Sequence, residues 1–124
     1  MMWYIILGGE CMEDFEWVAQ LRRGIMEFCV MLLINQKARY GYEIVMSLEQ
    51  FDYLTITEGT LYPLLRRLQK EKKLESYWLE SEGGHPRKYY KLTASGLDVL
   101  NSMSSTWIEL SKELNNLLSQ KELS

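Results

Sequence analysis

Six apolar residues near the C-terminus, Leu100, Met103, Trp107, Leu110, Leu114 and Leu117, stand three, four, three, four and three residues apart. That spacing is the a/d seam of a coiled coil, sustained for nearly three heptads. It predicts one long helix over residues 94–120, with Thr93 as its N-cap. A helix with such a stripe needs a surface to lie against, either its own domain or a second copy of the chain. The preceding residues supply three further helical stretches and a hairpin, enough to build a core without it. The six seam residues are therefore the expected interface of a homodimer.

Upstream, residues 16–36 read as a helix, with Trp17, Leu21, Ile25, Phe28 and Leu32 at three- and four-residue spacing and Val30, Met31 and Leu33 making its second half apolar nearly all round. Gly41 opens a second helix over residues 42–51, with Ile44, Val45, Leu48 and Phe51 on one face. Residues 52–56 read as a turn and a very short strand, because Leu54 and Ile56 alternate with Thr55. Thr57 is an N-cap for a third helix over residues 58–73, and Glu58 sits favourably against its dipole. Leu61, Leu64, Leu65 and Leu68 form the apolar stripe of that helix, and Pro63 is expected to bend it. Residues 74–80 and 87–93, rich in Tyr, Trp and Leu, then make a hairpin around a Gly83-Gly84 turn. As the plain structural alternative, its adjacent tyrosines Tyr89 and Tyr90 could be core and surface aromatics respectively.

Helix, helix, turn, helix and two-stranded hairpin is the order of a winged helix-turn-helix. The expected fold is mainly α with a small β-hairpin wing. Residues 1–15 form an N-terminal extension, 16–93 the DNA-binding domain and 94–124 the dimerisation helix.

A formal net charge of -3 argues at first against a polyanionic partner, but the distribution alters that reading. Residues 57–93 hold eight bases against five acids, whereas residues 1–21 hold four acids and no base. One basic zone flanked by acidic ends suits a protein that shows a single face to nucleic acid.

Other classes fit poorly. The longest apolar run, residues 28–34, has seven residues, against about 20 for a membrane-spanning helix. Residues 3–7 are apolar but too short, and without the basic start, for a signal peptide; a cytoplasmic location is expected. Cys11 and Cys29 lack metal-ligand spacing, and with one histidine no zinc site of the usual kind is expected. Cys29 reads as a small core residue. Neither a phosphate-binding glycine loop nor a nucleophile–base pair is present, so no catalytic residue and no cofactor is expected.

The residues that fit DNA lie on the third helix and the wing. Gly59 permits close approach, and Thr60 and Tyr62 offer hydroxyls near the helix start, beside Thr57. Arg66 and Arg67 suit phosphate or guanine, while Lys70 and Lys73 suit phosphate. His85, Arg87 and Lys88 stand at or beside the wing turn. A solvated basic face, or a winged module that docks protein, would share this pattern; salt-dependent DNA affinity separates the readings.

Three strings are more specific: Tyr40-Gly41-Tyr42-Glu43-Ile44, Glu58-Gly59-Thr60-Leu61-Tyr62-Pro63, and Pro86-Arg87-Lys88-Tyr89-Tyr90-Lys91-Leu92-Thr93. In this order, over about residues 20–118, the chain resembles the PadR-type transcriptional regulators, in their compact branch with a single C-terminal helix. The resemblance implies a homodimeric winged-helix protein, usually a repressor, that binds a near-palindromic operator in double-stranded DNA and is released by a small molecule or other signal. It carries over Tyr42, Thr60, Tyr62 and the Arg87-Lys88 pair as DNA-contacting candidates. It also places Trp107 where an aromatic lines a cavity between protomers that accepts flat, apolar or cationic compounds; a plain dimer-core role for Trp107 stands beside that. Residues 1–11 match nothing in the family, and Met12 is the expected native start.

Overall fold

The computed structural model describes residues 12–120; the apolar stretch at residues 3–7 and Cys11 lie outside the described residues. The elements are α1 (Met12–Gln36), β1 (Arg39–Tyr40), α2 (Gly41–Leu48), α3 (Glu58–Lys70), β2 (Leu74–Glu80), β3 (Pro86–Leu92) and α4 (Ala94–Ser119). The strands form one antiparallel sheet in the order β1-β3-β2. The winged helix-turn-helix and its long terminal helix are thus present as expected.

One core joins the four helices with strands β2 and β3. Met26, Val30, Met31 and Ile34 of α1 meet Ile44, Val45 and Leu48 of α2, and Leu61, Leu65 and Leu68 of α3; Ile56, Leu74, Tyr90 and Leu100 close it. Each fully buried leucine contributes about 1.5–3 kcal/mol relative to exposure, so the three on α3 fix that helix firmly to the body and leave its other side free. Cys29 is half-buried against this core.

The details depart from expectation in several places. Residues 54–56 form no strand; their alternation arises because Ile56 enters the core while Thr55 faces water. The third strand is instead β1, pairing Arg39 with Tyr90 and Tyr40 with Tyr89. Helix α2 stops at Leu48, and Phe51, expected on its apolar face, is exposed. Helix α3 runs unbroken through Pro63. Tyr90, and not Tyr89, is the core aromatic of the wing.

Helix α3 ends at Lys70, short of Lys73, because Lys72 takes a left-handed conformation with φ 65°. The Lys73 N–H then donates to the Leu68 carbonyl and the Lys72 N–H to that of Gln69, the two bonds of a Schellman cap. This turn receives α4. Thr93 caps α4 by accepting from the Gly96 N–H at 2.9 Å, while its own N–H donates to the Lys73 carbonyl and its hydroxyl to that of Lys72. Arg39 performs a similar service for α1, donating to the Leu33 carbonyl, Ser47 and Gln36.

Leu100 is buried in the chain's own core and Met103 packs against that core. The first two seam residues are therefore covered within one chain. Beyond them Trp107, Leu110, Leu114 and Leu117 are exposed, with Ile108 and Leu118 beside them. Trp107 leans on Phe28 of α1, with ring centroids 6.4 Å apart. On α1, Trp17, Leu21 and Leu32 are exposed as well.

Candidate nucleic-acid interface

With Leu61, Leu65 and Leu68 turned inward, the 3.6-residue period directs Gly59, Pro63, Arg66 and Lys70 to solvent. Thr57 holds the start of the helix, accepting from the Thr60 N–H at 3.2 Å. The sequence reading therefore has the exposed face right at Thr57, Gly59, Thr60, Arg66 and Lys70. Arg66 and Lys70 have no carboxylate partner among the described residues.

Arg67 is differently engaged. Its guanidinium bonds Glu27 of α1 at 2.9 Å and Glu71 at 3.2 Å, and Lys73 reaches the same two carboxylates, both at 3.1 Å. Burial would push the Glu27 carboxyl up, but hydrogen bonds from Arg67 and Lys73 outweigh it and hold the group below the usual carboxylate range. Two of the bases expected to face phosphate thus pin α3 to α1.

Between α3 and the wing lies a cleft of about 580 Å³ lined by Tyr40, Gly41, Tyr42, Tyr62, Arg66, Trp78, Arg87, Lys88 and Tyr90. It gathers five of the expected contact residues: Tyr42, Tyr62, Arg66, Arg87 and Lys88. Burial, reinforced by the Glu58 carboxylate, pushes the Tyr62 hydroxyl above its ordinary pKa, so it stays protonated near neutrality and keeps a hydrogen to donate. His85 stands apart at the exposed wing turn, where the Ser81 hydroxyl donates to its carbonyl at 2.7 Å. A second cleft, of about 540 Å³, brings Thr57 and Thr60 beside Arg22 and Arg23 of α1.

The wing is held to the body by an aromatic ladder. The Arg87 guanidinium lies over the Tyr40 ring, 4.4 Å from its centroid, and also donates to the Tyr40 hydroxyl. Tyr40 meets Tyr89 edge-on at 5.3 Å, and Tyr89 stacks on Tyr77 at 5.9 Å. Arg87 therefore sets the angle of the wing as well as lining the cleft.

Sequence reasoning missed Tyr40, Trp78, Arg22 and Arg23. For Trp78 a signal was present: counting back from the Gly-Gly turn pairs it with Lys88, on the same face of the hairpin. For Arg22 and Arg23 there was none, since only the fold brings them to the start of α3.

The winged fold with its long terminal helix agrees with what comparison with known proteins shows. The model of the transcriptional regulator PadR-like family matches residues 30–102. A protein of Lysinibacillus sphaericus is 35% identical over 97 residues, 77% of this chain and 88% of its own. The crystal structure of a PadR-like transcriptional regulator from Bacillus cereus is 38% identical and superposes with a TM-score of 0.77, covering 82% of this chain and 99% of that one. A PadR family transcriptional regulator from Eggerthella lenta is 35% identical with a TM-score of 0.76, over 87% and 94% of the two chains. Among the described residues, no helix is long and apolar enough to cross a membrane. The chain belongs to the PadR-like family of transcriptional regulators, a family of DNA-binding regulators and not of enzymes.

Proposed function

We propose that this chain is a cytoplasmic, sequence-specific repressor that binds a near-palindromic operator as a homodimer and is released by a small aromatic or cationic effector. The observation that carries the DNA-binding part is the convergence of Arg66, Tyr62 and Tyr42 with Arg87 and Lys88 on one cleft, beside an α3 whose opposite side is sealed in the core. Helix α3 enters the major groove, with Thr57, Gly59, Thr60 and Tyr62 at its leading end and Arg66 and Lys70 behind. The wing brings Lys88, Arg87 and His85 to the adjacent backbone. The exposed Trp107, Leu110, Leu114 and Leu117 support pairing of two chains through α4, which sets the two recognition helices about 34 Å apart. An effector seated by Trp107 would act by changing that separation, and a dimer with the wrong spacing loses one half-site.

The test is binding of the purified protein to the DNA upstream of its own gene across a salt series. Tight binding is expected, falling steeply with salt. Arg66→Ala combined with Lys88→Ala should weaken it and lower the salt slope by about two, one for each phosphate no longer neutralised. Lys88 is preferred to Arg87 for this purpose because Arg87 also holds Tyr40. Binding no tighter than to random DNA at every salt concentration would leave an operator away from the gene, or a winged module that docks protein.

A further inference from the structure

The cleft wall carries an aromatic that the described residues leave mostly uncovered. Trp78 is 64% exposed near the middle of β2. Its cross-strand neighbour is Lys88, so both side chains leave the same face of the hairpin, the face that lines the cleft with Tyr62 and Arg66. The tyrosines of the opposite face are packed on one another. Trp78 has no aromatic or cation–π partner among the described residues. An indole is among the largest apolar side chains, and covering it is worth more than covering any other residue on this wall.

Position decides what covers it. Arg66 of α3 lines the same cleft as the indole, Lys88 of the wing stands across the strand from it, and both suit a polyanion. Between phosphates, a DNA strand offers deoxyribose, an apolar surface that a cation cannot use but an indole can. We propose that Trp78 is the apolar DNA contact of the wing, packing its ring on the deoxyribose of the strand whose phosphate Lys88 neutralises. This rests on the DNA-binding reading above and adds a contact of a different chemical kind. Affinity from Lys88 comes with counterion release and falls with salt, whereas affinity from Trp78 comes from covered apolar surface and does not.

The experiment measures operator affinity of the full chain over a salt series for wild type, Trp78→Ala, Trp78→Phe and Lys88→Ala. Trp78→Ala should bind about tenfold more weakly at every salt concentration with an unchanged log–log slope. Lys88→Ala should bind more weakly with the slope reduced by about one. Trp78→Phe should recover part of the loss, because a smaller ring still covers sugar. Operator should also change the tryptophan emission of the wild type by an amount that Trp78→Phe lacks. Because the side chain is mostly in water, all three variants should melt at the wild-type temperature. If wild type binds operator and Trp78→Ala binds equally well, or the emission change survives whole in Trp78→Phe, the inference is overturned and the DNA-binding reading stands. If wild type binds no DNA, both fall together.

Discussion

The ring of Tyr62 occupies the space that a side chain at residue 41 would need: a Cβ on Gly41 would stand 2.5 Å from the Tyr62 hydroxyl oxygen and 2.6 Å from its Cε1. The first turn of α2 thus sets where the cleft tyrosine of α3 lies. Gly41→Ala should force the Tyr62 ring aside and weaken operator binding. Its stability cost should be limited to about 1–2 kcal/mol, because the obstructing atoms are the tip of a side chain able to swing. In a Tyr62→Ala background the same substitution should cost nothing and even gain from alanine's better helix propensity. A double-mutant cycle by denaturant unfolding measures the coupling; additive effects would show that the contact does not constrain Tyr62.

Gly96 presents the opposite case. A Cβ there would run into the Lys73 backbone carbonyl, and backbone cannot swing away. That carbonyl also accepts from the Thr93 N–H, so any shift disturbs the cap of α4. Gly96→Ala should lower stability by about 3 kcal/mol, the upper end of overpacking costs, against a helix-propensity gain of about 1 kcal/mol. Gly24, in mid-α1 with no atom within 4 Å of its would-be Cβ, supplies the control. Gly24→Ala should keep the propensity gain and stabilise. Thermal unfolding of the two variants decides the matter, and equal shifts would contradict the packing argument.

The Glu27 cluster makes stability depend on pH. Burial acts against ionisation of Glu27, yet its bonds to Arg67 and Lys73 leave its carboxyl below the ordinary value of 4.5. A carboxylate with a lower pKa in the folded chain stabilises the fold above its unfolded value. That contribution disappears as pH falls from about 4.5 through the folded value. Glu27→Gln should therefore cost about 1 kcal/mol at pH 7, a figure discounted for the half-exposed Arg67. It should cost little at the acid end, flattening the profile between. Denaturant unfolding at several pH values measures this; a constant difference between the two proteins would assign the loss to packing.

The same cluster shows which parts of the molecule were legible in the sequence. Leucine spacing on α3 and the Gly-Gly hairpin announce themselves locally, so the element order and the exposed face of α3 follow from periodicity. That Arg67 is occupied does not follow, because its partner Glu27 lies forty positions away. Strand β1 has only two residues, too few for an alternation to register, and its existence depends on the edge that β3 offers. The early end of α3 was hidden because Lys72 takes a conformation usually marked by glycine. Tyr89 and Tyr90 are adjacent and identical, so only the strand register says which enters the core. Where side-chain period and turn chemistry decide, the sequence sufficed; where distant elements meet, only the fold could answer.

The heptad of α4 divides at Met103, and the two halves should fail in different ways. Leu100 is 2% exposed, within its own domain, so Leu100→Ala should destabilise the fold by about 2–5 kcal/mol. Trp107 and Leu110 are 41% and 43% exposed, so truncating them removes open surface that a partner would cover, at the cost of the Trp107 contact with Phe28. Trp107→Ala with Leu110→Ala should leave the winged domain folded. It should raise the dimer dissociation constant more than tenfold, since buried interface aromatics commonly contribute over about 2 kcal/mol. Operator binding should weaken in step, because a monomer holds one half-site and must recruit a second monomer separately for the other. Sedimentation equilibrium and operator titration at matched protein concentrations would follow both quantities. A double variant that stays dimeric and binds operator as wild type does would place the dimer contact elsewhere. α1, with Trp17 and Leu21 exposed, would then be the surface to test.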